Sequence, residues 1–207
     1  NDSDYVMLNN CSAYTNTIDG IYLDGGSAGS LACCSITNCY VYSNTSLGIR
    51  LAQTGAGSIE NCHIAGNDVL SNGWGILVTC TSSGNINNAS ILGNTIRGNN
   101  GRGLNFQGSS TGKVRECRVG GYNQFYNNSD MCILLEGTAG DVAAAPIVIK
   151  NNLFYRESSG AQSRGVVYGS AFKYLQITNN TFYNLNGSNI EHNGTNSFTV
   201  IKNNILA

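Results

Sequence analysis

The chain has 207 residues, of which 11 are Lys or Arg and 12 are Asp or Glu, for a formal net charge of -1. Only 11% of residues are charged, which excludes the basic stripe that a nucleic-acid footprint needs. No apolar run approaches the roughly 18 residues that span a membrane as a helix.

In chain order, one short motif recurs. A leading aliphatic residue is followed two positions later by Asn, then by a small or polar residue and a further apolar one. The copies begin at Leu8 ("LNNCSAYTN"), Ile36 ("ITNCYVYSN"), Ile59 ("IENCHIAGN"), Ile86 ("INNASILGN"), Val114 ("VRECRVGG"), Ile149 ("IKNNLFYR"), Ile177 ("ITNNTFYN") and Ile201 ("IKNNILA"). The steps between them are 28, 23, 27, 28, 35, 28 and 24 residues. Self-similarity at such a period marks a solenoid, a propeller or an array. A second motif falls between the copies: "GIYL" at Gly20, "GIRL" at Gly48, "GILV" at Gly75, "GLNF" at Gly103, "CILL" at Cys132, "GVVY" at Gly165 and a weaker "NIEH" at Asn189. A third short strand leads into each copy, as in "PIVI" at Pro146 and "YLQI" at Tyr174.

Each rung therefore has three short strands and three turns. Alternation along a strand points Ile36, Cys39, Val41, Ile49 and Leu51 inward, with Tyr40, Tyr42 and Arg50 outward. One rung cannot bury its own apolar edge, but a stack of parallel strands roughly 4.8 Å apart can. The Asn column reads Asn10, Asn38, Asn61, Asn88, Asn151, Asn179 and Asn203, with Glu116 replacing it once. Asn tolerates left-handed turns, and its amide both donates and accepts, so the column predicts a hydrogen-bonded ladder. The apolar column beyond reads Ala13, Val41, Ile64, Ile91, Val119, Phe154, Phe182 and Leu206, growing bulkier toward the C-terminus.

These repeats resemble those of the pectate-lyase-like right-handed parallel β-helix superfamily, including its Asn ladder. The expected fold is all-β: a right-handed parallel β-helix of about eight rungs, a single domain over 1–207, either uncapped or a fragment of a longer chain. The resemblance implies an active site on the outer face of a strand stack. It transfers no catalytic residue, since the "GHG" and "RIK" strings, an Asp column with Arg, and an Asp/His cluster are all missing from this sequence.

Two outward patches remain. Tyr14, Tyr40, Tyr42 and His63, with Tyr155 and Tyr183 later in the same columns, form a candidate carbohydrate-binding face, because exposed aromatics can stack on sugar rings. Arg50, with Tyr22 and Asp24 on the rung before, is either a minimal acid–base site or, more plainly, a surface ion pair. The 35-residue step contains two candidate binding loops, 120–130 with Tyr122, Phe125 and Tyr126, and 137–146. Eight cysteines lack zinc-ligand spacing, so no metal or cofactor is expected. Cys11, Cys39 and Cys62 are read as one interior column of free thiols, because stacked Cβ atoms are too far apart to bridge. Among the Asn-X-Ser/Thr sites, Asn44, Asn127, Asn186 and Asn193 fall in predicted loops and are the usable glycan acceptors.

The leading expectation is a structural or binding module outside the cell or on a cell or virion surface: a shaft, an adhesin-like or self-assembling element, or a carbohydrate-binding one. Its partners would be a polysaccharide or glycan, or other copies through the helix ends, with no nucleic acid. The alternative is a carbohydrate-active enzyme of the superfamily, a polysaccharide lyase or glycoside hydrolase, or a fragment of one. Ice binding would need a flat Thr array, and the outward columns are mixed.

Overall fold

The structure is a computed structural model that describes residues 5–27, 29–108, 111–137, 146–157, 163–169, 172, 174–194 and 198–207. The chain winds as a right-handed parallel β-solenoid of about six full coils. Sheet A holds eight strands, from Met7–Asn9 to Thr199–Lys202, and sheet B eight, from Ser12–Tyr14 to Ile205–Leu206. Sheet C holds seven, from Ile21–Asp24 to Ile190–Asn193. Sheet D holds four, from Ser30–Ala32 to Lys113–Arg115. Every pairing is parallel. The first coils thus carry four short strands rather than the expected three.

The fourth sheet explains the uneven repeat. The corner motif is written up to three times per coil, once each at the ends of the D, A and B strands. Ile36 pairs with Ile64, not with Ile59, which lies on sheet D between Leu31 and Ile86. On sheet A the inward column runs Leu8, Ile36, Ile64, Ile91, Val119, Ile149, Ile177, Ile201. Its steps are 28, 28, 27, 28, 30, 28 and 24 residues, so the steps of 23 and 35 were jumps between sheets.

Each corner has the same physics. A three-residue strand ends in a residue with left-handed backbone, and the next side chain turns inward. Asn10, Asn38, Asn61, Asn88, Asn151, Asn179 and Asn203 all have φ between 53° and 59°, which Asn tolerates better than most residues. Their side chains face outward or lie at the surface, although Asn88 still donates to Asn61 at 2.7 Å. The continuous ladder stands one position further on, at Asn67, Asn94, Asn123, Asn152, Asn180 and Asn204. The left-handed residue cannot supply it, because the turn that bends its backbone directs its side chain away from the core. Asn94 shows the full bonding. Its Nδ2 donates to Ile64 O at 2.9 Å and to Asn123 Oδ1 at 3.1 Å, while its Oδ1 accepts from Asn67 N and Nδ2, both at 2.9 Å. Both donors and both lone pairs are used. A second ladder, Asn16, Asn44, Asn72, Asn99 and Asn128, fills the B-to-C corner. Asn44 is therefore buried and is not an accessible glycan acceptor.

The third corner, from D to A, is lined by Cys34, Cys62, Ala89 and Cys117, all buried. Cys62 belongs here and not with Cys11 and Cys39, which precede Asn67 in the A-to-B corner. All eight cysteines are free, and Cys11 and Cys33 are exposed. Burial pushes the Cys62, Cys117 and Cys132 thiols up to about 12. Iodoacetamide at mildly alkaline pH should label Cys11 and Cys33 in the native protein and spare the other six until denaturant is added. Native labelling of Cys117, read by mass spectrometry, would contradict this packing.

The core is a set of columns. Gly75 shows why the sheet C motif opens on Gly: a Cβ there would lie 2.3 Å from Gly103 O and 2.8 Å from Ile96 Cγ2 on sheet B. The inward column of sheet B reads Ala13, Val41, Val69, Ile96, Phe125, Phe154, Phe182 and Leu206. It grows bulkier toward the C-terminus as expected, with three stacked Phe rings whose centroids are 5.1 and 4.6 Å apart. Ile64, Ile91 and Val119 belong to sheet A instead.

Candidate functional site

Sheet B presents two outward columns. One reads Tyr14, Tyr42, Leu70, Arg97, Tyr126, Tyr155, Tyr183. The other places Tyr40 beside Tyr42 and Asp68 beside Leu70. Five of the six residues singled out from sequence thus share one face, with Tyr14, Tyr42, Tyr155 and Tyr183 in a single line. His63 does not join them. It sits on sheet A between Ser35 and Ser90, because "HIAG" is an A strand and not the start of a B strand.

The rings form two groups. Tyr14 and Tyr42 stack at 4.9 Å with 11° between planes, and Tyr40 leans on Tyr42 at 4.5 Å and 39°. Further along, Tyr126 and Tyr155 stack at 4.6 Å and 19°. Between the groups, Arg97 makes a two-pronged contact with Asp68, Nε at 3.3 Å and Nη2 at 3.1 Å, and its guanidinium lies 6.0 Å from the Tyr126 ring centre. Stacked rings cover one another's faces. What they offer solvent is ring edges and a row of phenol hydroxyls at rung spacing. Exposed ring surface is left chiefly at Tyr14, 51% exposed, Tyr40, 40% exposed, and Tyr183, 57% exposed. Burial and the neighbouring Tyr126 push the Tyr155 hydroxyl up to about 12, so it is a hydrogen-bond donor across the neutral range. Sequence reasoning missed Arg97, Asp68 and Leu70, and read Tyr126 as part of a loop rather than of this face. Aligning on Ile64 and Ile91, where Gly66 and Gly93 replace the bend Asn, would have placed Asp68, Leu70 and Arg97; Tyr126 follows Val119 across the longer corner.

The second patch is assembled as expected, on sheet C. Tyr22 and Arg50 are register neighbours, with the guanidinium 4.7 Å from the ring centre. Tyr22 donates to Asp24 Oδ2 at 2.8 Å, and Arg50 faces Asp19 at 3.7 Å. Burial and the bond to Asp24 raise the Tyr22 hydroxyl. Partial burial favours a neutral Asp24, but the Gly26 N–H, Tyr22 and Thr54 outweigh it and hold the carboxyl below its usual range. General acid–base work needs groups drawn toward the operating pH. These two move apart, and Asp24 is spent as an acceptor for its neighbours.

The expected loop at 120–130 is no excursion. It contains the strands Arg118–Gly120 and Gln124–Tyr126, joined by a corner one residue longer than its neighbours. The extra residue puts Tyr122 at φ 67° with 78% of its surface exposed. The other loop, 137–146, lies outside the described residues apart from its ends. Among the described residues, no group of three or more His, Cys, Asp or Glu side chains could hold a metal ion, and no helix is long and apolar enough to cross a membrane.

Residues 1–205 match the family described as the right handed beta helix region. The chain belongs to that family. No curated protein matches it by sequence. Among solved structures it is similar to the A-module of mannuronan C-5 epimerase AlgE6 from Azotobacter vinelandii, with a TM-score of 0.56 and 15% sequence identity. That match covers 98% of this β-helix and 58% of the epimerase module, so the chain spans a little over half of that structure's length. At this identity the likeness is one of fold.

Proposed function

We propose that this β-helix is a glycan-binding module that holds an extended polysaccharide along the outer face of sheet B, outside the cell or on a cell or virion surface. The observation that carries the reading is the outward column of sheet B, with Tyr14 and Tyr42 towards one end and Tyr126, Tyr155 and Tyr183 towards the other. Tyr is rigid and amphipathic, so it gives contact area and a hydroxyl at low entropic cost. A spacing of roughly 4.8 Å per rung is close to the length of one pyranose residue, so successive rungs can meet successive sugars. Tyr40 and Tyr183 supply faces for ring stacking, and Tyr42, Tyr126 and Tyr155 supply hydroxyls.

The test is polysaccharide binding by the purified chain and its variants. Replacing Tyr40 and Tyr183 together by Ala should weaken binding about tenfold, equivalent to ~1.4 kcal/mol, while Tyr22→Ala on sheet C should leave it unchanged. Equal affinities for all three proteins would refute sheet B as the binding face.

A second reading is a carbohydrate-active enzyme or a fragment of one. The fold likeness to an epimerase module supports it. Incubating the same polysaccharides with the protein and following chain length and sugar configuration by NMR separates turnover from binding.

A further inference from the structure

We propose that a cationic groove on the outer face of sheet A holds the anionic groups of the glycan, so that the ligand is a carboxylated or sulfated polysaccharide rather than a neutral one. This rests on the glycan-binding reading above and narrows its ligand class.

The groove encloses about 500 Å³ and is lined by Arg118, Lys150, Gln176 and Thr178 around a floor of Gly120 and Gly121. No acidic residue lines it. Its opening comes from one missing side chain. Leu92 is the register neighbour of Gly120 in the preceding coil, and Lys150 flanks it in the following one. A Cβ at Gly120 would lie 2.9 Å from Lys150 O, so the gap is kept by Gly alone.

Four arginines elsewhere in the molecule are tied to carboxylates, and the cations of the groove are not. Arg50 faces Asp19, Arg97 faces Asp68, Arg102 faces Glu136, and Arg164 faces Asp130 and Glu191. Arg118 and Lys150 are exposed, and no carboxylate faces them among the described residues. None of the described acidic residues lines the groove. An Arg fork with a Lys beside it suits a carboxylate or sulfate oxygen pair, and the neighbouring amide and hydroxyl suit sugar hydroxyls.

The groove also opens toward the tyrosine face. An adjoining groove of about 370 Å³ at the A-to-B corner shares Asn151 with it and is lined by Tyr122, Gln124, Leu153 and Thr181. Tyr122 stands at this junction in a left-handed backbone conformation uncommon for a bulky residue. A glycan lying on Tyr155 and Tyr183 can therefore turn its charged substituents over the corner to Arg118 and Lys150.

The experiment uses the full chain with three polymers of one backbone: dextran, carboxymethyl dextran and dextran sulfate. Binding is measured for the wild type, for Arg118→Ala and Lys150→Ala singly and together, for Arg156→Ala as a single-charge control outside the groove, and for Tyr40→Ala with Tyr183→Ala. The expected result is that at least one charged polymer binds tenfold or more tighter than dextran, that the double groove variant loses this preference, and that the Arg156 variant keeps it. Which polymer gains tells carboxylate from sulfate recognition. Equal binding of neutral and charged polymers, or a preference that survives in the double groove variant or falls equally in the Arg156 variant, overturns the inference. If the preference depends on the groove but not on Tyr40 and Tyr183, the groove stands and the tyrosine face falls. Binding of none of the three by the wild type overturns both.

Discussion

Replacing Asn94 by Leu should destabilise the solenoid by about 3 kcal/mol or more. The side chain is 1% exposed and uses all four of its hydrogen-bonding positions. Leu is similar in size, so the loss is not one of packing. It leaves Asn67 N–H and one Asn67 amide proton unpaired in a site that water does not reach, and takes one of its donors from Ile64 C=O. Each such group costs ~1–3 kcal/mol. Asn61 is the comparison. Its φ is 54° and its side chain is exposed, so Asn61→Gly should lose little beyond the exposed bond from Asn88, and Asn61→Leu should add the left-handed backbone term, about 1–2 kcal/mol. Urea unfolding followed by far-ultraviolet circular dichroism gives all three values, with constant slopes as the check that only stability has changed. Equal losses for Asn94→Leu and Asn61→Leu would put the ladder back at the bend.

Phe154→Ala should cost about 3–5 kcal/mol and lower the melting temperature by on the order of 10 °C. Phe154 is fully buried and stacks on Phe125 at 5.1 Å and on Phe182 at 4.6 Å. Truncation opens a void that two flat rings on adjacent coils cannot close, since the ladder fixes their spacing. The same strand, Leu153–Tyr155, carries Tyr155 on its outer side. Loss of the ring inside should therefore loosen the Tyr126–Tyr155 stack outside and weaken glycan binding at temperatures where the protein is still folded. Phe154→Leu should keep most of the stability. A melting temperature unchanged in Phe154→Ala would mean that the column is not close-packed.

The fold was legible because its determinants are local and repeated. Three-residue alternation, a bend residue and an inward corner residue recur in nearly every rung, and inward positions such as Ile36, Val41, Ile49 and Leu51 fell where alternation put them. The frame was harder. Sheets D, A and B end in the same short motif, so Ile59 and Ile64 look interchangeable in the sequence, and only pairing across coils separates them. That slip hid Arg97, while the ladder was displaced by one residue for another reason, because the bend Asn and the inward residue after it are both Asn in the last three copies. The tyrosine face survived it because Tyr14, Tyr42, Tyr155 and Tyr183 sit in copies whose frame was right. The groove at Arg118 and Lys150 was illegible for a different reason. It is made by a side chain that is absent at Gly120 and by carboxylates that are absent nearby, and neither leaves a motif.

The corners have a consequence for how such a chain can vary. Coils of 27, 28 and 30 residues stack in one register on sheet A. Each left-handed bend followed by an inward amide re-establishes alignment at the start of the next strand, so a length change between corners is absorbed within its own coil. The extra residue that raises Tyr122 does not disturb Phe125, three residues on in the next strand, which still pairs with Ile96 and Phe154. Insertions can accumulate at one rim while the column beneath stays in step, and a new surface can be tried on any coil without renegotiating the others.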